Sequence, residues 1–181
     1  DVLFVRPHFP SLYEDVFEEL RKESRRKWLL TGTPGIAKST FGMYCLWRVM
    51  IEGKRPVLYQ YYKHNMKYVV YPDGRHYALD SKDYPGWGGH GVALDDPDTV
   101  LISDSIEPAA SKAVTLMVSS PDRNKFKEFQ KTPNTVTLTA PRWSLEELRA
   151  CQALCFPDVP TDVLEWRYSL WGGNVRFVLG K

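Results

Sequence analysis

Trp28-Leu29-Leu30-Thr31-Gly32-Thr33-Pro34-Gly35-Ile36-Ala37-Lys38-Ser39-Thr40 runs from an apolar strand, through a glycine-bearing loop, into a Lys-Ser pair that opens a helix. The stretch follows the phosphate-loop pattern G-x-x-x-x-G-K-[ST] with one departure, Ala37 in place of the last glycine. The residue types follow from the chemistry. Loop amides converge on phosphate oxygens, and the helix N-terminus adds its partial positive charge. Residues Gly32, Thr33, Pro34, Gly35, Ile36, Ala37, Lys38, Ser39 and Thr40 are therefore the candidate nucleotide cradle. In this reading the Lys38 ammonium reaches the β- and γ-phosphates, and the Ser39 hydroxyl is a ligand of Mg²⁺.

Context agrees with the motif. Residues 27–31 are an apolar run suited to a buried strand. From Phe41 onward, Phe41, Cys45, Leu46 and Val49 recur at helical spacing, with Gly53 as a C-cap. Residues 99–105 form a second apolar strand that ends in a carboxylate. Asp104 is thereby the candidate Walker B residue, holding Mg²⁺ through water at the C-terminal edge of the sheet. A strand over 113–118 leads into Ser119-Ser120-Pro121, where Ser120 is the expected N-cap of a helix reaching about residue 131 through Phe126 and Phe129. ATPases with an added strand between the two Walker elements carry a polar γ-phosphate sensor here, so Ser119 or Ser120 has that alternative role.

The rest of the chain alternates in the same manner. A helix is expected over 11–22, with Leu12, Val16, Phe17 and Leu20 on one face. A strand follows over 56–62, and a hairpin pairs 67–71 with 75–79 across Pro72-Asp73-Gly74. Residues 84–91 read as an irregular surface loop, and 134–140 as the fifth strand. Ser144-Leu145-Glu146-Glu147 has the form of a capping box, with Trp143 and Leu148 placed as a hydrophobic staple. Helices over 161–171 and from 172 close the chain. Arg176 is either a sensor arginine that reaches back to the γ-phosphate or a surface residue.

At 181 residues and 43% hydrophobic composition the chain accommodates one α/β domain with a substantial core. A net charge of +2 gives no electrostatic argument for nucleic acid, and 21–27 is the one dense basic run. Cys45, Cys151 and Cys155 make no disulfide framework or zinc spacing, which fits a reducing, intracellular compartment. No apolar stretch is long enough to span a membrane.

These elements together resemble a family. Phe4-Val5-Arg6-Pro7 ahead of the first helix, the loop Gly32–Ser39, Ser119-Ser120-Pro121 with Lys131, Pro141-Arg142-Trp143-Ser144-Leu145-Glu146-Glu147-Leu148 and Gly172-Gly173-Asn174-Val175-Arg176 carry the likeness. In order and spacing they are similar to the P-loop NTPase domain shared by Crinkler effectors and retrotransposon hot spot proteins. The resemblance implies an AAA-like or STAND-like ATP·Mg²⁺ module within a larger protein, in many members coupled to a nuclease-like domain. It implies action in a nucleus, in Crinklers often that of a host, and a parent protein that is secreted. Some ATPases of the extended AAA family carry alanine at the position of Ala37. The chain departs from the pattern after Asp104, where related ATPases place a glutamate to polarise water and this chain has Ser105; Glu107 lies nearby, followed by Pro108.

The expectation is thus a single three-layer domain over 1–181: an N-terminal segment and helix (1–26), a sheet core (27–140) and C-terminal helices (141–181). Its sheet is mostly parallel and five-stranded, with an inserted β-hairpin. Lys38, Asp104, Ser120 and Arg176 are the candidate catalytic and sensing residues, and Ser39 and Asp104 the candidate metal ligands. Guanine specificity is disfavoured, since Asn124-Lys125-Phe126-Lys127 is not N-K-x-D. A catalytically weak nucleotide-binding or protein-interaction module, with a homo-oligomer or an attached effector domain as partner, and a nucleic-acid-binding module are the rival readings.

Overall fold

The computed structural model describes residues 2–18, 26–53, 55–61, 66–80 and 96–180. Its helices are α1 (Phe9–Glu18), α2 (Lys38–Glu52), α3 (Lys127–Lys131), α4 (Leu145–Cys155), α5 (Thr161–Trp171) and α6 (Val175–Val178). The strands are β1 (Lys27–Thr31), β2 (Val57–Tyr61), β3 (Met66–Val70), β4 (His76–Asp80), β5 (Val100–Asp104), β6 (Val114–Val118) and β7 (Thr135–Thr139). They lie in one sheet in the order β4-β3-β2-β5-β6-β1-β7. The expected segments 19–22 and 84–91, and most of the basic run 21–27, fall outside the described residues.

Continuous apolarity decides which strands are central. Every residue of β5 and β6 is buried, as are Trp28, Leu29 and Leu30 of β1, the pattern of strands covered on both faces. The alternation of side chains then sorts the two faces. Trp28, Leu30, Leu116 and Val118 join the main core with Phe41, Tyr44 and Cys45 of α2. Leu29 and Met117 turn the other way and pack with Phe126 and Phe129. Helices therefore cover both sides, and the three-layer expectation matches the packing.

The sheet has seven strands where five, with an inserted hairpin, were expected. β1, β2, β5, β6 and β7 run parallel, and the hairpin extends the same sheet because β3 pairs antiparallel with β2, Val57 opposite Val70. An isolated two-stranded hairpin is marginal in water. Pairing with β2 satisfies its backbone and buries Val69 against Leu58, Leu101 and Ala113. A second correction concerns Ser120. Asp122, not Ser120, caps the next element, its side chain accepting the Asn124 N–H at the start of a single 3-10 turn over Arg123–Lys125. Phe126 breaks that turn from α3, so the long helix expected from Pro121 is two short pieces.

The N-terminal segment is locked to the far end of the chain by Arg6, which is 1% exposed. Its guanidinium forks onto Glu147, Nε to Oε1 at 3.1 Å and Nη2 to Oε2 at 2.9 Å. It also donates to the carbonyls of Pro141 and Arg142 at 2.8 and 2.9 Å, and lies 4.6 Å above the Trp143 ring. Phe4 stacks on the same indole at 5.5 Å. Glu147 meanwhile completes the expected capping box of α4, its carboxylate accepting the Ser144 N–H while Ser144 Oγ accepts the Glu147 N–H.

Arg6→Ala is expected to destabilise the fold by about 3 kcal/mol or more, since breaking a buried pair strands its partner. Arg6→Lys should restore little, because an ammonium cannot reproduce the fork; urea unfolding measures both. Burial alone would raise the Glu147 carboxyl, but hydrogen bonds from Arg6 and the Ser144 amide, with the charges of Arg6 and His8, hold it below its ordinary value of 4.5. A depressed carboxylate contributes stability that is present above pH 4.5 and lost as pH falls through the folded value. The acid limb of a stability–pH curve should accordingly be shallower in Glu147→Gln than in wild type.

Candidate functional site

The loop leaves the C-terminal end of β1 and enters α2 at Lys38. Its bends need positive φ at three positions: Gly32 has φ 144°, Gly35 has φ 80°, and Ala37 has φ 72° and ψ 33°. Gly35 also has no room for a side chain, since a Cβ would sit 2.3 Å from Asn174 Oδ1. Ala37 occupies the conformation that the missing glycine of the motif would adopt freely, so its methyl group imposes local strain.

Every carbonyl from Gly32 to Ile36 is engaged. Lys38 Nζ donates to Gly32 and Thr33 at 2.6 and 2.9 Å. Asn174 Nδ2 donates to Pro34 at 2.9 Å, the Arg176 N–H to Gly35 at 3.3 Å, and Trp143 Nε1 to Ile36 at 3.2 Å. All peptide bonds here are trans, so each C=O faces opposite to the N–H that follows it. With the carbonyls of Pro34, Gly35 and Ile36 held by residues 143–176, the amides of Gly35, Ile36 and Ala37 turn the other way. The loop is thus sorted by polarity, acceptors against the protein and donors away from it.

A cavity of about 560 Å³ opens beside the loop. Lys38, Ser39, Asp104, Ser120 and Arg176 all border it, as do Pro34, Gly35, Ala37 and Thr40. Gly32 and Thr33 meet it only through Lys38, and Ile36 is a core residue at 2% exposure. Lys38 is 9% exposed; burial lowers its pKa, the Arg176 charge adds to that, and Asp104 opposes it. Asp104 is 4% exposed, with Oδ1 accepting from Ser105 Oγ at 3.0 Å. Its Oδ2 has no hydrogen-bond partner among the described residues, and neither has the buried Ser119 Oγ. Unpaired oxygens in such positions are costly and point to a missing ligand. This donor set, a carboxylate with a nearby exposed Ser39 hydroxyl, fits a hard divalent cation such as Mg²⁺. Glu107 does not border this cavity, and its Oε1 accepts the Phe129 N–H of α3.

Ala37, Thr40 and Val175 also border a second, more apolar hollow of about 460 Å³, walled by Phe4, Trp143 and Cys151. Spacing marked Trp143 as a staple and gave Asn174 no role. Their bonds to the loop span 107 and 140 positions, and nothing local announces them. The one legible hint was Gly173, where a Cβ would lie 2.1 Å from the Trp143 carbonyl, so only glycine fits.

A central parallel strand passing through such a loop into a helix is the P-loop architecture of nucleotide-binding proteins. The chain is homologous to part of Crinkler effector protein 15 and Crinkler effector protein 16 of Phytophthora infestans, each 34% identical over 163 residues. The matched region covers 83% of this chain and 24% of each relative, so the chain spans about a quarter of the length of the curated relatives it matches. The Holliday junction branch migration motor RuvB of Thermotoga maritima aligns at a TM-score of 0.45 and 12% identity, over 94% of this chain and 65% of that one. No protein-family model matches the chain. Among the described residues no helix is long and apolar enough to cross a membrane.

Replacing Ala37 by glycine removes the left-handed penalty at that position. Ala37→Gly is expected to raise stability by about 1 kcal/mol, and Ala37→Val to lower it by more than that. Thermal and urea unfolding of the two variants against wild type check both signs.

Proposed function

We propose that this domain is the nucleotide-binding module of a Crinkler-type effector, that it binds ATP with Mg²⁺, and that it hydrolyses ATP slowly. The observation that carries this reading is the polarity of the loop: its carbonyls are clasped, its amides are turned away, and Lys38 stands among them. Such an array favours an anion of several charges over a neutral ligand. Lys38 exchanges its two carbonyl acceptors for phosphate oxygens, the stronger charge-assisted bonds. Ser39 and Asp104 hold the metal, which supplies neutralisation of charge on the phosphates. Ser119 and Ser120 at the end of β6, and Arg176 beyond α5, border the same cavity and would contact the terminal phosphate. The hollow of Phe4, Trp143, Cys151 and Val175 receives the base, its aromatic walls offering stacking surface.

Hydrolysis is the weaker half of the activity. Ser105 follows Asp104 where a water-polarising glutamate is usual, and Glu107 bonds the Phe129 amide of α3 outside the cavity. Positioning and electrostatics still supply part of the rate, because phosphoryl transfer depends on them most. The protein then works as a switch: the bonds from Asn174 and Arg176 to the loop transmit nucleotide state to α6 and from there to an attached effector domain, in a nucleus.

Calorimetry with ATP and Mg²⁺ on wild type and Lys38→Ala, with phosphate release followed in parallel, tests the reading. Loss of one charged contact set predicts binding weakened by about 10- to 100-fold or more in the variant. Turnover should be slow and equally dependent on Lys38. Absence of binding by wild type overturns the proposal.

A further inference from the structure

Helix α2 is apolar on two opposite sides. Phe41, Tyr44, Cys45 and Val49 face the sheet and are buried. On the other side Met43 is 51% exposed, Trp47 50%, Met50 39% and Ile51 63%, at spacings of four, three and one residues. That is a continuous stripe of the kind that normally faces another helix. Val2, Leu3 and Val5 of the N-terminal segment lie beside it and are also exposed. Two adjoining hollows of about 520 and 660 Å³ share Met43, Leu46 and Met50, so the stripe borders one long groove.

The one arginine of α2 and its acidic neighbours are already paired with each other. Arg48 donates to Glu14 and to the Tyr44 hydroxyl at 2.9 Å and to Glu52 at 3.3 Å, and its guanidinium lies 4.6 Å from the centre of the Tyr13 ring. No ion pair at this helix need be broken to cover the stripe, which removes the usual desolvation penalty. A nucleic acid would instead need unpaired cations there. With side chains of up to about 250 Å² each, the seven exposed residues present on the order of 600 Å² of apolar surface. That is the upper end of the roughly 300–600 Å² that the largest apolar patch of a monomer reaches, and the lower limit, about 600 Å² per partner, of a stable complex. The face also offers a half-exposed aromatic, Trp47, at the rim of the groove beside Met50. An isologous two-fold interface pairs such a face with itself.

We propose that the α2 face formed by Met43, Trp47, Met50 and Ile51 is a homodimer interface, closed by the same face of a second copy of this chain. Sedimentation velocity of the 181-residue chain, from about 1 to about 100 μM, tests it with wild type, Trp47→Glu and Ile51→Glu. The wild type should shift from monomer to dimer across that range. Each variant should weaken association at least tenfold while far-UV dichroism and urea unfolding stay close to wild type. Should Trp47→Glu lose its fold, the more exposed Ile51→Glu decides. A wild type that stays monomeric at the highest concentration overturns the proposal, as does a dimer that a folded variant leaves unchanged.

Discussion

The Arg6 guanidinium is the point on which the remaining architecture leans. An arginine at 1% exposure is tolerable only if its charge and donors are met, and the partners it meets are all near residue 141 or beyond. Glu147 supplies the counter-charge and two backbone carbonyls take further bonds. Trp143 is thereby fixed between Arg6 above and the Ile36 carbonyl beyond, with Phe4 stacked on it. The orientation of that one indole places the amide of Ala37. A surface pair of the same residues would contribute little. Buried, with every partner satisfied, the pair specifies one arrangement of the two chain ends, and the loop inherits it.

From that anchor the site is assembled by the ends of parallel strands. The Ser119 N–H bonds to the Leu30 carbonyl at 3.0 Å and the Ser105 N–H to Val118 at 2.8 Å, which aligns the ends of β1, β5 and β6 along one edge. Asp104 and Ser119 arrive there buried, with Asp104 Oδ2 and Ser119 Oγ unsatisfied among the described residues. Lys38, depressed by burial and the nearby Arg176, meets the same edge from α2. A set of groups left unsatisfied together, on elements otherwise well bonded, makes the cavity unlike the apolar hollows elsewhere on the molecule.

Much of this was readable because the signals were local. β1, the loop and α2 follow from an apolar run, two glycines and a helical repeat within 25 residues, and Asp104 from one strand's length. The capping box at Ser144 needed only three residues of separation. What failed was competition and distance. Ser120 and Asp122 both suit a helix start, and the carboxylate at Asp122 captured the free amide. β2 and the hairpin became one sheet through pairing that neither strand encodes alone. The bond of Glu107 to α3, like those of Trp143 and Asn174 to the loop, joins segments far apart in sequence. In α2, apolar residues occupy both sides, so periodicity found Phe41, Cys45 and Val49 but did not distinguish the outward stripe.

The 140 positions that separate Pro34 from Asn174 have a meaning in time as well as in space. At roughly 5–20 residues per second, a ribosome delivers the clasp about 7 to 30 seconds after the loop it holds. β1 emerges early but must wait for both of its sheet neighbours, β6 and β7, and then for the segment that turns the loop's donors outward. A nascent chain therefore carries its most recognisable motif without the means to shape it until that segment arrives. Whatever the loop holds, it becomes able to hold it only once Asn174 and Arg176 have been translated.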